Sequence, residues 1–131
     1  TLRVCHVIGS SRVDAWGDEQ WREKVDSHDL MITTPQLFLD VLDARHLRLD
    51  MFCVLIVDEC HHCAGSHPFA RVFSEHYGRL KVRQLRVLGM SGNLVKRKVK
   101  NEKERDKAKI KLEKAMFSKI FDPVARPSAP M

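Results

Sequence analysis

Short apolar runs alternate with amphipathic segments along the chain. The apolar runs predict strands at residues 2–9, 30–34, 52–59 and 84–92. Between and after them, apolar side chains recur at helical spacing and predict helices at residues 17–28, 35–46, 68–80 and 98–120. Alternation of strands and helices favours right-handed βαβ units. We therefore predict an α/β fold with a doubly wound, mostly parallel sheet.

Local signals mark where several of these elements begin. Asp18 is expected to be the N-cap of the first helix, because its carboxylate can accept hydrogen bonds from free N–H groups of the first turn. Pro35 and Pro68 stand in the first turns of two later helices, where the missing N–H of proline is tolerated. Residues 30–34 are predicted to form a short buried strand. Residues 52–59 are apolar on both faces, which is typical of a parallel strand covered by helices on both sides.

The composition is that of an ordinary globular protein, with 44% hydrophobic and 31% charged residues. No apolar run approaches the ~20 residues that a membrane-spanning helix needs, so no membrane partner is expected. The net charge of +6 is concentrated in residues 96–119, which hold eleven Lys and Arg against four Asp and Glu. We expect a packed helix with an incidental basic face there, because the segment has a single aromatic residue, Phe117, and so lacks aromatic residues interleaved with the basic ones for base stacking.

Polar residues and glycines follow each predicted strand. The strand ends carry Gly9-Ser10, Thr33-Thr34, Asp58-Glu59 and Ser91-Gly92. In doubly wound sheets, ligands bind beyond the carboxyl ends of the parallel strands. We therefore expect these residues to converge on one edge of the sheet, which is the predicted functional site.

Asp58 and Glu59 are the strongest chemical signal in the chain. Burying two adjacent carboxylates at the end of a strand costs free energy unless a bound group compensates their charge. In nucleoside-triphosphate hydrolysis, an acid at such a strand end holds the metal and another group positions the attacking water. We assign Asp58 to Mg²⁺, through a water, and Glu59 to the attacking water. The alternative is that both acids cap the loop or the next helix.

A zinc site is the competing interpretation of the same loop. Cys60 and Cys63 have the spacing of half a zinc site, and further candidate ligands stand nearby at Cys53, His61, His62 and His67. A structural zinc site normally has a second paired cluster at a set distance, and none is present in the sequence. We therefore do not expect zinc, and we do not expect a Cys–His nucleophile built from adjacent residues.

Several stretches resemble a known family. The run "VLIVDECHH" resembles motif II of superfamily-two helicases in its Asp-Glu-Cys-His form, and "DECHHCAGSHPF" is similar to the Dicer-type version. The preceding stretch "GDEQWREKVDSHDLMITTPQLFLDVL" resembles the Dicer-type segment that contains motif Ib, at Thr34-Pro35-Gln36. In addition, "RVLGMSGNLVKRKV" stands where motif III is expected, and "LEKAMFSKIFDP" resembles the helix that follows it. The resemblance covers nearly the whole chain.

The resemblance implies a RecA-like domain of a Dicer-type helicase that acts on double-stranded RNA. ATP and Mg²⁺ would bind between this domain and a second RecA-like domain of the same parent chain. Asp58 and Glu59 would keep the roles assigned above, and His61 would couple the nucleotide to motif III. In motif III, Ser91 would supply the hydroxyl and Asn93 a hydrogen-bonding side chain.

The resemblance also implies an RNA-binding set at the sheet edge. Thr34 opens a predicted helix, and helix N-termini present free N–H groups to anions such as phosphate. The backbone amides of Gly9 and Ser10 would face the same RNA strand. The implied RNA-binding residues are Gly9, Ser10, Thr34, Pro35 and Gln36.

Two departures from the family pattern affect the expected activity. Motif III usually reads Thr/Ser-Ala-Ser/Thr, whereas this chain has Ser91-Gly92-Asn93, in which Gly92 loosens the backbone. The phosphate-loop pattern G-x-x-x-x-G-K-[ST] does not occur in the sequence. We therefore expect an incomplete RecA-like domain, part of a longer protein, that alone neither binds ATP tightly nor hydrolyses it.

The sequence thus supports two hypotheses of different classes. In the first, the chain is part of an ATP-hydrolysing RNA helicase; in the second, it is a degenerate RecA-like module that binds RNA or a protein without catalysis. In either case we expect a helicase core fragment at 1–95, a basic amphipathic helix at 96–121 and an irregular tail at 122–131. The four cysteines, two of them in one loop, do not have the pattern of a disulfide framework, so we expect a reducing, intracellular setting. The resemblance implies the cytoplasm, with the nucleus as the alternative.

Overall fold

A computed structural model of the protein describes residues 1–9, 13–81, 84–92 and 101–121. Its strands are β1 (Val4–Val7), β2 (Leu30–Thr33), β3 (Val54–Val57) and β4 (Arg86–Gly89). Its α-helices are α1 (Asp18–Ser27), α2 (Pro35–Asp43), α3 (Pro68–Arg71) and α4 (Glu102–Met116). Short 3-10 turns lie at Val13–Ala15, Leu49–Met51, Cys60–Ala64 and Tyr77–Arg79, and a π-helical turn lies at Val72–His76. No helix among these residues is both long and apolar enough to cross a membrane.

The strands pair in parallel, as predicted, but they form two separate ladders within the described residues. In the first, β1 pairs with β2 and Val7 lies opposite Thr33. In the second, β3 pairs with β4 and Val57 lies opposite Gly89. Each strand is only four residues long, shorter than its predicted run. Because each ladder is parallel, the carboxyl ends of its two strands lie side by side.

Only one face of each ladder is buried by the residues that the structure describes. Val57 is 2% exposed, whereas Ile56 is 51% and its partner Leu88 is 52% exposed. In the other ladder, Val7 is buried and Ile32 is half-exposed. The prediction that residues 30–34 and 52–59 are buried strands is therefore wrong for these residues. Their outward apolar positions have no covering element in this part of the structure.

The buried face of the strands packs into one hydrophobic core with the helices. Trp21 of α1, Leu39 of α2 and Phe73 of the π-helical turn are among its most deeply buried large side chains. Trp21 also meets Trp16 edge to face, with ring centroids 5.0 Å apart. Aromatic pairs favour this geometry. Both tryptophans therefore act in packing.

Two helix starts show how local hydrogen bonding determines where an element begins. The N-cap of α1 is Gly17 rather than Asp18, and the N–H of Gly17 donates to Oε1 of Gln20 at 2.9 Å. The prediction of Asp18 as the cap is therefore wrong by one residue, and its carboxylate lies in the first turn instead. At α2, Thr34 is the N-cap and accepts a hydrogen bond from the N–H of Leu37 at 3.4 Å.

The predicted helix at 68–80 is present as three consecutive helical pieces of different pitch. Its side chains bond to α2 through a single carboxylate. Asp43 accepts from Arg71 at 3.2 Å and pairs with Nε2 of His76 at 2.8 Å. Arg71 and His76 are five residues apart, and the i→i+5 hydrogen bonding of a π-helical turn brings such residues over one another. This network ties the end of α2 to the segment that follows the predicted motif II loop.

The last helix is shorter than predicted at its carboxyl end. Asn101 caps its start by accepting from the N–H of Glu104 at 2.9 Å. The helix ends at Met116 because Phe117 adopts a left-handed conformation, with φ of 53°. The predicted start at residue 98 lies outside the described residues. The buried side chains of α4, Leu112 and Met116, both lie in its carboxyl-terminal half.

An ion pair at the start of the first ladder gives a pH-dependent prediction. Arg3 donates hydrogen bonds to Asp29 through its backbone N–H and its guanidinium. These bonds lower the pKa of Asp29 from 3.8 to about 2, and the guanidinium makes the largest contribution. A carboxyl group whose pKa is lowered by folding stabilises the folded state at pH values above its unfolded-state pKa. This stabilisation is lost as the pH falls toward 2. The free energy of unfolding of Asp29→Asn should therefore approach that of the wild type between pH 5 and pH 2, in urea titrations.

The matched control is Asp26→Asn, at an exposed acid on α1. The difference in the free energy of unfolding between Asp26→Asn and the wild type should not shrink between pH 5 and pH 2 as it does for Asp29→Asn. The pair is exposed, so the effect is small. A constant difference between Asp29→Asn and the wild type over this pH range would contradict the assignment.

Candidate active site

The predicted catalytic acids lie in the turn that follows β3. The strand ends at Val57, so Asp58 and Glu59 are turn residues and not the last residues of a strand as predicted. Glu59 adopts a left-handed backbone, with φ of 52° and ψ of 45°. For a residue other than glycine this conformation costs about 1–2 kcal/mol and occurs preferentially at functional sites. The turn thus holds Glu59 in a strained conformation.

Hydrogen bonds fasten this turn to the end of β4. Oδ1 of Asp58 accepts from the N–H of Glu59 at 2.9 Å. The N–H of Cys60 donates to the carbonyl of Met90 at 2.9 Å, and the N–H of Met90 donates to the carbonyl of Val57 at 2.8 Å. Asp58 therefore caps the turn with one of its oxygens. This contact agrees with the capping alternative for Asp58, and it is compatible with a second role for an exposed carboxylate.

His61 joins the two strand ends through its side chain. Its Nδ1 lies 2.7 Å from Oγ of Ser91, beyond β4, and 3.2 Å from Oε2 of Glu59. The His61 side chain is only 16% exposed, whereas the Glu59 side chain is 58% exposed. Because a carboxylate can only accept, the contact with Glu59 requires the proton on Nδ1. The arrangement holds an accessible carboxylate against a mostly buried imidazole that also contacts Ser91, just beyond the neighbouring strand.

The described members of the predicted RNA-binding set lie at the carboxyl ends of β1 and β2. Thr34 and Pro35 form the cap and first turn of α2, and Gln36 donates to Oδ1 of Asp40 at 2.7 Å. Gly9 follows β1, and a Cβ placed on it would meet nothing within 4 Å. The two predicted residues Ser10 and Asn93 lie outside the described residues. The RNA-binding roles remain predictions.

The two cysteines of the loop are packed into the core. Burial raises the pKa of the Cys60 thiol, and burial also raises the pKa of Cys63 to about 12. Zinc binds thiolates, so these environments disfavour the ligand form. The nearby rings pack on one another instead, with His62 and His67 stacked at a centroid distance of 4.8 Å.

Among the described residues, three potential metal ligands come together only at Asp43, Glu75 and His76. The guanidinium of Arg71 already contacts both carboxylates there, at 3.2 Å from Asp43 and at 2.8 and 3.0 Å from Glu75. This group is therefore an ion-pair network between helical segments. The loop cysteines do not take part in such a group, and the absence of zinc from the protein stays a prediction.

Sequence reasoning missed a contact that supports the candidate site. A Cβ on Gly89 would lie 2.7 Å from Cε of Met116 and 3.0 Å from both Cβ and Sγ of Cys60. An isolated glycine within a predicted strand is a recognised sign of close backbone approach, so the run at 84–92 contained a usable signal. The identity of the approaching side chain, which comes from α4, had no such signal.

The chain is similar in sequence to known helicases and to Dicer-type endoribonucleases. The DEAD/DEAH box helicase family matches residues 2–101. The chain is 38% identical over 127 residues to Endoribonuclease Dicer homolog 3 of Arabidopsis thaliana, which covers 95% of this chain and 8% of that protein. It is 36% identical over 123 residues to Endoribonuclease dcr-1 of Caenorhabditis elegans, covering 92% of this chain and 6% of that protein.

A solved structure shows the same fold. The helicase domain of Pyrococcus furiosus Hef superposes with a TM-score of 0.64 at 15% identity, covering 88% of this chain and 21% of that one. The predicted α/β fold of RecA-like type is thus confirmed, and the chain spans less than a tenth of each of the two Dicer-type relatives named above. With the family matching most of its length, the chain belongs to the DEAD/DEAH box helicases.

Proposed function

We propose that this chain forms part of the ATP-hydrolysing helicase domain of a Dicer-like endoribonuclease that acts on double-stranded RNA. Membership of the helicase family supports an ATP-dependent parent protein. The similarity to Dicer-type endoribonucleases supports the Dicer-like assignment. The observation that carries the proposal is His61, whose Nδ1 contacts both Glu59 and Ser91.

The acids of the turn suit the proposed chemistry. Mg²⁺ prefers oxygen ligands and usually keeps several of its waters, so the exposed carboxylate of Asp58 fits a water-mediated contact. When bound, Mg²⁺ would offset the negative charge of the ATP phosphates. Glu59 is accessible to solvent and would orient the attacking water by accepting its hydrogen bond. The contact with His61 keeps the Glu59 carboxylate in one direction.

The coupling role follows from where the second contact of His61 lies. Ser91 follows β4, and Glu59 follows β3, so a shift between the two strand ends changes the environment of His61 directly. In this proposal, RNA binding and ATP hydrolysis communicate through that contact. Thr34, at the start of α2, and Gly9, after β1, would meet the RNA backbone. A second RecA-like domain would complete the ATP site.

The test compares the 131-residue chain with the longer protein that we propose it belongs to. Phosphate release from ATP should be stimulated by double-stranded RNA in the longer protein and should be undetectable in the isolated chain, because the phosphate-loop pattern is absent from its sequence. RNA binding without ATP hydrolysis in the longer protein would overturn the proposal in favour of a non-catalytic RecA-like module. Hydrolysis of ATP by the isolated chain would contradict the proposal that the phosphate-binding loop lies in another segment of the longer protein.

A further inference from the structure

The carboxyl-terminal end of α4 lies over the end of β4. Met116 is 4% exposed, and its Cε would lie 2.7 Å from a Cβ on Gly89. The side chain of Cys60 fills the remaining space, with its Cβ and Sγ each 3.0 Å from the same position. A methyl group at residue 89 would therefore force the end of the flexible Met116 side chain to move, and Cys60 would have to give way by a few tenths of an ångström. Met116 and Cys60 thus both pack against Gly89, and this packing is here called the Met116 contact.

The position of Met116 is held from its other side. Phe117 ends α4 in a left-handed conformation, and its ring lies 5.4 Å from the ring of Tyr77. The same ring would lie 3.2 Å from a Cβ on Gly78. The carboxylate of Glu113 accepts from the N–H of Ile120 at 2.9 Å, which turns the chain back along the helix. The end of α4 is thus anchored on the segment that follows the active-site loop.

The Met116 contact touches both halves of the candidate active site. Cys60 stands between Glu59 and His61, and its N–H donates to the carbonyl of Met90. Gly89 stands two residues before Ser91. The two elements that meet at Met116 are therefore the ones whose side chains meet at His61 and Ser91.

We propose that Met116 is a positioning residue that packs over Gly89 beside Cys60 and thereby holds His61 in contact with Ser91. This inference rests on the proposed function, since it names a residue that supports the same site. Misplacement of about 1 Å by a distant substitution can reduce catalysis by about 10²-fold, so loose packing here has a measurable consequence. In this proposal, helix α4 supports the turn after β3 that holds Asp58 and Glu59.

The experiment uses the longer protein and four variants. Met116→Ala removes the packed thioether, and Gly89→Ala introduces a methyl group that displaces the end of the Met116 side chain. Met116→Leu keeps a similar volume and should behave like the wild type, because volume-conserving core replacements are tolerated best. Leu42→Ala is the matched control, since Leu42 is equally buried but lies on α2, which packs on α3 and the π-helical turn.

The expected result separates catalysis from folding. Met116→Ala and Gly89→Ala should lower kcat for RNA-stimulated ATP hydrolysis by about 10-fold to 100-fold, with little change in KM for ATP. Leu42→Ala should lose a comparable amount of thermal stability while its kcat stays near that of the wild type. Equal losses of kcat in Met116→Ala and Leu42→Ala would overturn the inference, because the effect would then be one of general stability.

A structural readout tests the inference independently of ATP hydrolysis. In crystals of Met116→Ala, the distance from Nδ1 of His61 to Oγ of Ser91 should lengthen from 2.7 Å to beyond about 3.5 Å, the limit of a hydrogen bond. An unchanged distance would overturn the positioning role even if the wild type is an ATPase. A lengthened distance in a protein without ATPase activity would support the positioning role while the proposed function fails.

Discussion

Replacing Glu59 with glutamine should lower RNA-stimulated ATP hydrolysis by the longer protein about 10²-fold to 10⁴-fold, the range that a positioned general base contributes. The amide has nearly the same shape as the carboxylate, so the loop and the binding of nucleotide should be preserved. It cannot accept a proton, and its orientation of the attacking water is weaker. The measurement is single-turnover phosphate release together with equilibrium binding of ATP.

The matched control for Glu59→Gln is Glu19→Gln, which makes the same replacement at an exposed acid of α1. It should leave both hydrolysis and nucleotide binding unchanged. Full ATPase activity in Glu59→Gln would remove Glu59 from the proposed mechanism. Loss of nucleotide binding together with hydrolysis would show instead that Glu59 maintains the structure of the loop.

Replacing Phe73 with alanine should destabilise the fold by about 3–5 kcal/mol, the usual range for a fully buried phenylalanine. Phe73 is 1% exposed and meets Tyr77 edge to face with ring centroids 5.6 Å apart. Its removal leaves a cavity in the segment on which Phe117 and the end of α4 rest. Since whole domains are stable by about 5–15 kcal/mol, this loss is a large fraction of the total. Chemical denaturation monitored by circular dichroism gives the free energy of unfolding.

The same substitution at Phe121 is the control. Phe121 is 87% exposed, so Phe121→Ala should change the free energy of unfolding by no more than about 0.5 kcal/mol. A similar loss of stability in both variants would mean that the core is not centred on Phe73. A small effect of Phe73→Ala alone would lead to the same conclusion.

The family and the parts of the candidate site were predictable because they depend on short stretches of sequence. The acids of the turn, His61 and the hydroxyl of Ser91 are identified by the motifs that contain them. The start of α2 was also predictable, because Thr34 and Pro35 act on N–H groups within their own turn. Even so, the N-cap of α1 is Gly17 and not the predicted Asp18, because the Gln20 side chain reaches back and accepts a hydrogen bond from the N–H of Gly17.

The end of α4 illustrates what local sequence does not determine. The charged, helix-favouring run predicted a helix to residue 120, yet Phe117 leaves the helix and packs its ring against Tyr77, forty residues earlier. Likewise, the apolar residues of 52–59 predicted burial on both faces, whereas Ile56 has nothing covering it in the described residues. Both outcomes depend on which segments lie alongside, and periodicity alone does not contain that information.

By itself, the sequence determined the class of fold, the parallel strands and the residue types of the turn after β3, because these follow from hydrophobic spacing and from motifs a few residues long. The tertiary structure alone decided that Glu59 adopts a left-handed backbone, that His61 contacts Glu59 and Ser91 together, and that Met116 closes over Gly89. The contact of His61 with Ser91 joins residues 30 positions apart, and the packing of Met116 on Gly89 joins a helix to a strand. Packing of the whole chain sets such distances, and no local pattern encodes them.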